Sequence, residues 1–343
     1  MRGLKLSEIK TFCKLITNRK ITFKKLANIA KVKSSIYFKR KGFWGYPYIL
    51  ILEPTNVCNL KCPTCPTGNG LMKRPRKLMP FESFKKVIDD MGGYLVNIVL
   101  MNFGEPLLNK DFYRMVDYAH AKNINVVTCT NGHFTEAKKI VNSKMDEITV
   151  SLDGIDQETL EKFRVGADFN KVIEGIKEIV EEKGLRKTNI PIINLQFIIM
   201  KHNEHQIDRF RDLAKSLGVD KITFKALWVN SLAEAKNFLP NNPEFHRYIL
   251  RENSYDMKCD EDFICTKPWS DIAISSAGSV TLCSCDFDNS IILGNIEESS
   301  IKDILSSPKS LGVRKLLLTG HGKVPICKTC APNSNISITE MLK

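Results

Sequence analysis

Three cysteines, Cys58, Cys62 and Cys65, carry the most specific chemistry in the sequence. They lie in Glu53-Pro-Thr-Asn-Val-Cys-Asn-Leu-Lys-Cys-Pro-Thr-Cys65, spaced C-x3-C-x2-C, directly after the apolar run Tyr48-Ile-Leu-Ile-Leu52. Three thiolates so close in sequence can wrap one soft-metal site. A cubane cluster held by three cysteines keeps one iron open to donor atoms of another molecule. A structural zinc site closes with four ligands, and no fourth Cys or His lies nearby in sequence. A zinc knuckle and three unconnected loop cysteines are the alternatives.

A second group follows much later: Cys265-Thr-Lys-Pro-Trp269, Cys283-Ser-Cys285, Leu293-Gly-Asn295 and Cys327-Lys-Thr-Cys330. By its CxxC pair alone, this group also suits a four-cysteine zinc site. The remaining cysteines are Cys13, Cys129 and Cys259. Cys13 and Cys129 read as small buried hydrophobes. No apolar stretch reaches the ~18 residues of a membrane span, and the N-terminus lacks the features of a secretory signal. A cytoplasmic, disulfide-free protein is expected, in which eleven cysteines serve metal or redox chemistry.

The elements that must position these residues alternate. Strand candidates at 48–53, 96–102, 124–130, 147–153, 192–200 and 221–226 are separated by helical patterns near 80–92, 111–122, 134–143, 156–164, 168–183 and 204–217. Repeated βα units predict a parallel sheet. Six units are too few for a closed eight-stranded barrel, so an open, partial barrel is expected, with its active face at the C-terminal strand ends. Beyond 228 the pattern predicts a short helix at 241–252 and helices at 299–306 and 308–318. It also predicts a hairpin of Ile272-Ala-Ile274 and Ser279-Val-Thr-Leu282 about Ser276-Ala-Gly278.

The net charge of +13 is concentrated at the start of the chain. Residues 1–44 hold thirteen Lys/Arg and one acid, Glu8, for +12. Leu6, Ile9, Phe12, Cys13 and Ile16, then Phe23, Leu26, Ile29 and Ala30, follow helical spacing, with Lys5, Lys10, Lys14, Lys24, Lys25 and Lys31 largely off those stripes. Two basic amphipathic helices broken near 18–21 are predicted. They read either as helices packed on the barrel with a solvated basic face, or as a dock for an anionic membrane surface or a lipid-linked substrate. That second reading would make the protein peripheral at the inner membrane surface. Nucleic acid is not an expected partner, because no reading motif is present and the body is near neutral.

The first cysteine motif, its preceding strand and its missing fourth ligand resemble the radical S-adenosylmethionine (SAM) superfamily. Asn102-Phe-Gly-Glu-Pro106 resembles the family segment that receives SAM's amino group, with Phe103 in place of its first glycine. Thr128-Cys-Thr-Asn-Gly132 and Thr149-Val-Ser-Leu-Asp-Gly154 resemble segments lining the SAM site, and Arg164 matches a guanidinium that pairs with SAM's carboxylate. The resemblance implies SAM contacts at Gly104, Glu105, Asn131, Ser151, Asp153 and Arg164. The ordered C-terminal series resembles a SPASM/twitch region. That likeness implies one auxiliary [4Fe–4S] cluster on Cys265, Cys283, Cys327 and Cys330, with Cys285 and Cys259 spare.

The implied fold class is α/β: a partial (β/α)6 radical SAM barrel at 45–228, a SPASM/twitch-like domain at 229–343 and a basic helical arm at 1–44. The implied reaction is reductive cleavage of SAM to a 5′-deoxyadenosyl radical that abstracts hydrogen from a C–H bond. An external one-electron reductant such as flavodoxin or ferredoxin would feed it, and the auxiliary cluster would accept the substrate's electron. The expected outcome is oxidation or dehydrogenation of a sugar, alcohol or lipid-linked small molecule. A ribosomal-peptide maturase is the alternative enzyme, and an iron–sulfur or zinc scaffold or electron carrier the non-enzymatic one. No general base stands out among the six histidines.

Overall fold

The six expected strands all form, and side-chain alternation divides their sheet into an apolar outer face and a mixed, partly polar inner one. A computed structural model describes residues 20–258, 264–328, 330 and 337–343. The strands are β1 (Ile49–Leu52), β2 (Asn97–Leu100), β3 (Asn125–Thr130), β4 (Glu147–Ser151), β5 (Ile192–Ile199) and β6 (Lys221–Ala226), all parallel in sequential order. Leu50, Ile98, Leu100, Val126, Ile148, Leu195 and Ile222 point outwards and are fully buried. Helices Phe81–Met91, Phe112–Ala121, Phe169–Leu185 and Ile207–Ser216 cover them with Phe84, Met115, Ile176 and Phe210. Burying such side chains stabilises the layer by about 1.5–3 kcal/mol each. This parallel, unclosed α/β sheet is the expected fold class.

The C-terminal part joins the same sheet. β9 (Asp271–Ile274) pairs parallel with β1, followed antiparallel by β10 (Ser279–Thr281) and β11 (Ile292–Asn295). The β9–β10 hairpin is the one expected from the sequence. At the other edge, β12 (Ser337–Met341) pairs antiparallel with β6, and Glu340 accepts two arms of Arg211 at 2.7 and 2.9 Å. Helices Ile301–Ser306 and Pro308–Leu318 match their expected positions.

Two local expectations are corrected. Residues 241–252 do not form a helix. Pro243 starts a single 3-10 turn over Pro243–Phe245, capped by Asn242, and a hairpin of β7 (Tyr248–Leu250) and β8 (Tyr255–Met257) follows. There the buried Tyr248 donates its hydroxyl to the Val229 carbonyl at 3.3 Å.

The second correction concerns the basic arm. Its second helix is present at Phe23–Tyr37, but Lys25, expected off the packing stripe, is buried on the packed face with Asn28, Val32 and Ser35. Lys25 Nζ donates to the carbonyls of Lys20 and Asn123 at 3.1 and 2.7 Å, and Lys20 pairs with Asp146. Burial, then the charge of Lys20, pushes the Lys25 amine down to about 8. The first helical stripe, Leu6 to Ile16, lies outside the described residues, as does Cys13.

One buried ion pair joins the two halves of the chain. Glu53, at the end of β1, has no exposure. Arg74 grips both its oxygens, Nη1 to Oε1 at 2.6 Å, and Ser276 in the β9–β10 turn donates N–H and hydroxyl to Oε1 at 3.0 and 2.8 Å. Removing one partner of a buried pair strands the other charge. Arg74→Ala is therefore expected to cost about 3–5 kcal/mol in urea unfolding. The paired replacement Glu53→Gln/Arg74→Met should cost much less. Equal losses for the two variants would show that the pair is not what holds this junction.

Candidate active site

The cysteine loop leaves β1 at Glu53 and is folded by its own backbone. Cys65 N–H donates to the Cys62 carbonyl at 3.2 Å, and Gly68 and Asn69 N–H both donate to the Cys65 carbonyl at 2.9 Å. A Cβ on Gly68 would lie 2.5 Å from Cys62 N, so only glycine lets the loop turn back this tightly. Cys62 is buried, and Cys58 and Cys65 are half-buried. Burial pushes the Cys62 thiol up to about 11, against the pull of Arg164. Loading these thiols with metal therefore releases protons.

The ends of β2 and β3 support this loop. Gly104 has φ of +84°, and a Cβ there would lie 2.4 Å from Thr55 O and 2.8 Å from Val57 O. The close approach that Gly104 permits is thus to the cysteine loop itself. Glu105 N–H then donates to Val57 O at 2.8 Å. The Glu105 side chain is 2% exposed. Its Oε1 accepts from Thr130 Oγ1 at 2.8 Å and Leu107 N at 3.1 Å, and its Oε2 from Asn131 N at 2.8 Å. Those bonds favour the carboxylate, but burial outweighs them and pushes its pKa up to about 7. Asn131 reaches over to donate to Asn59 Oδ1 at 2.7 Å and lies 3.9 Å from Cys58 Sγ.

Asp153 and Arg164, separately assigned to SAM by resemblance, meet each other. Arg164 Nε donates to Asp153 Oδ2 at 2.6 Å, and Asp153 Oδ1 accepts from Ile198 N at 2.7 Å. Burial opposes the Arg164 charge, but Asp153 and Cys62 outweigh it and hold the guanidinium firmly protonated. No described residue accepts from its Nη atoms. Ser151 shares a hydrogen bond with Cys129 at 3.2 Å and lies 3.5 Å from Gln196 Nε2. Cys129, read from sequence as a core filler, thus faces the inner side of the sheet. Thr64, before the third cysteine, gives its carbonyl to Asn230 Nδ2 at 2.8 Å.

Below the loop the inner face is polar along its depth on the β4–β6 side, which periodicity alone did not single out, while Ile49, Ile51, Val99 and Val127 line it on the β1–β3 side. Lys221 pairs with Glu147 at 2.7 Å, and Asn194 links Thr149 at 3.1 Å to Thr223 at 3.0 Å. Lys225 lies two residues on from Thr223, so on the same face, within electrostatic reach of Cys129. It is half-buried, and no described residue accepts from its amine. The alternating Lys221, Thr223 and Lys225 in β6 are the sequence signal that could have found it.

The second cysteine group converges as well. Cys265 and Cys327 lie within electrostatic reach of Cys283, Cys285 N–H donates to Cys283 Sγ at 3.5 Å, and Cys330 lies within electrostatic reach of Cys285. Cys285, set aside as spare, therefore shares the cluster of thiols; Cys259 lies outside the described residues. Asp286 closes the intervening loop, accepting from Ser290 N and Oγ at 2.8 and 2.7 Å and from Ile291 N at 2.8 Å. Trp269 is buried and donates to Arg40 O at 2.8 Å, while Gly294 lies so close to Ile304 that a Cβ would come within 2.7 Å. The loop also docks on the active face. Asp288 accepts from Lys73 and Arg74 N–H at 2.7 and 3.1 Å, and Phe287 packs edge-on to Phe103 at 6.2 Å.

Among the described residues, no three His, Cys, Asp or Glu side chains close tightly enough to hold one metal ion. The fit to clusters rests on the donor sets: three soft thiols in one turn beside a cation, and five more gathered under one loop.

The radical SAM superfamily model matches residues 52–215, and SPASM, an iron–sulfur cluster-binding domain, matches residues 265–331. Fe-coproporphyrin III synthase of Methanosarcina barkeri is 31% identical over 180 residues, 51% of this chain and 43% of that protein. Mycofactocin maturase MftC of Mycolicibacterium smegmatis is 29% identical over 175 residues, 50% of this chain and 43% of that one. The chain thus matches less than half the length of these relatives. The structure of Streptococcus suis SuiB bound to S-adenosylmethionine superposes with a TM-score of 0.61 at 17% identity, covering 84% of this chain and 71% of that one, a likeness of fold. The two matched models bring SAM, a [4Fe–4S] cluster and auxiliary iron–sulfur binding with them, and each falls on one of the converging cysteine groups. The chain belongs to the radical SAM superfamily and carries a C-terminal SPASM domain.

Proposed function

We propose that this enzyme oxidises a polar, anionic small molecule of the sugar or alcohol type, held in the open barrel beneath the cysteine loop. When bound, SAM and the first cluster supply a 5′-deoxyadenosyl radical for hydrogen abstraction, and the auxiliary cluster supplies an outlet for one electron. Cys58, Cys62 and Cys65 would hold the first cluster. Cys265, Cys283, Cys327 and Cys330 would hold the second, with Cys285 beside them. Glu105 Oε2 retains one acceptor position after its internal bond and would take SAM's ammonium. Arg164, fixed by Asp153, would take SAM's carboxylate, and Gly104, Asn131 and Ser151 would shape the rest of the pocket.

The observation that carries the substrate reading is the polar side of the inner face, whose Lys225 amine has no acceptor among the described residues and lies within electrostatic reach of Cys129. An anionic group on the substrate would supply the missing partner. A reductant such as flavodoxin or ferredoxin would deliver the electron. A peptide substrate is the second reading, favoured by the similarity to mycofactocin maturase and by the fold shared with SuiB.

Reconstituted protein should hold about eight iron atoms per chain, and the Cys58/Cys62/Cys65→Ala variant about half, as two four-iron clusters require. The variant should form no 5′-deoxyadenosine from SAM under strong reductant; retained cleavage would remove the basis of this reading. Adding the dialysable or the peptide fraction of a cell extract, and measuring which accelerates 5′-deoxyadenosine formation, separates the two substrate classes. The small-molecule reading expects the dialysable fraction to act, and Lys225→Met to lose that acceleration while keeping basal SAM cleavage.

Glu105 gives SAM binding a pH dependence. With its pKa near 7, the carboxylate is mostly protonated at pH 6 and mostly ionised at pH 8. An ammonium ligand selects the ionised form, so its affinity should rise about tenfold across that range. Titration calorimetry of the reconstituted protein checks this, and Glu105→Gln should flatten the profile. A flat wild-type profile would remove Glu105 from the ammonium site.

A further inference from the structure

The arm helix Phe23–Tyr37 is built inside out. Its buried face is Lys25, Asn28, Val32 and Ser35, fastened by polar bonds: Asn28 donates to Tyr46 O and accepts from Tyr46 N, both at 2.8 Å. Val32 and Ile36 pack beside Trp269 and Leu282, but the helix's largest apolar side chains look the other way. Phe23 is 86% and Tyr37 71% exposed, with Leu26 between them. At 100° per residue, positions 23, 26, 30 and 37 fall on one stripe opposite the buried face. Phe38 and Trp44 extend it just past the helix, their rings in edge contact at 5.7 Å. Lys24, Lys31, Lys33, Lys39, Arg40 and Lys41 are all exposed around this stripe, and residues 20–44 contain no acid.

A soluble surface has no use for five large apolar side chains aligned outwards, while the polar face of the same helix is buried. An exposed apolar stripe flanked by cations, with no acid in its own segment, matches the headgroup and acyl boundary of an anionic bilayer. We propose that this helix docks the enzyme on anionic lipid. The helix crosses the N-terminal strand ends, with Lys20 at Asp146 before β4, Lys25 at Asn123 before β3 and Asn28 at Tyr46 before β1. The cysteine loop lies at the opposite, C-terminal ends. Docking therefore leaves the active face towards the aqueous phase, and the membrane serves as an anchor rather than as the source of substrate. The proposal does not depend on the substrate reading above.

The test is sedimentation of the reconstituted full chain with vesicles of phosphatidylglycerol and phosphatidylcholine, and with phosphatidylcholine alone. We expect salt-sensitive binding to the anionic vesicles and a blue shift of Trp44 emission on binding. Phe23→Ser/Tyr37→Ser/Phe38→Ser and, separately, Lys24→Glu/Lys31→Glu/Lys33→Glu should each weaken binding at least tenfold. Iron content and SAM cleavage should be unchanged in both, since all six residues are exposed. A chain lacking residues 1–19 should still bind anionic vesicles. Wild-type protein left in the supernatant at low salt would overturn the proposal. So would undiminished binding by the apolar variant, or complete loss on removing 1–19, which would move the contact to another segment. A tight protein or peptide partner competing at the stripe in place of lipid would overturn it too.

Discussion

A carboxylate with no access to water holds the two cysteine-bearing regions in one body. Glu53 ends β1, where the first cysteine loop begins, and its oxygens are shared by Arg74 from that loop's return and Ser276 from the β9–β10 turn. A buried charge is tolerable only when it is paired and hydrogen-bonded on all sides. The strand end, the loop and the hairpin must therefore stay together. Asp288 and Phe287 then lay the loop that follows Cys285 against Arg74 and Phe103, which ties the second cysteine region to the first.

The sheet divides labour between its faces. Outward side chains of β1–β6 are apolar and buried under helices, which fixes the strands. Inward side chains are mixed, and the polar ones are bonded to one another: Asn97 with Asn125, Glu147 with Lys221, and Asn194 with Thr149 and Thr223. On the β4–β6 side the face is too polar to serve as a second core and suits a hydrated ligand. Near its active end stands Lys225, without a partner among the described residues. Glu105 and Asp153 spend most of their bonding capacity on the protein, so any contact they make with a cofactor is made by groups already held in place.

The two ends of the sheet face different problems. At the C-terminal ends, loops must carry thiols and charges close together. At the N-terminal ends, the arm helix seals the strand starts with its polar side, donating lysine and asparagine hydrogen bonds to backbone that would otherwise lie open. No helix among the described residues is long and apolar enough to cross a membrane.

The cysteine spacing, the six βα units and the hairpin at 271–281 were legible in the sequence, because period and spacing are local properties. Gly104 and Glu105 were legible as residues, but their neighbours were not. Whether Gly104 faces a ligand or the Thr55–Val57 backbone depends on how two strand ends meet. The helix at 241–252 failed because Pro243 and the packing of Tyr248 outweighed a weak apolar pattern. The arm shows the limit most plainly. Periodicity located its helix and its apolar stripe, but which side faces the protein was decided by partners distant in sequence: Asn123 and Asp146 for its lysines, and Tyr46 for Asn28. Only the tertiary structure brings the carbonyls at the strand starts, and the apolar partners of Val32 and Ile36, within the helix's reach.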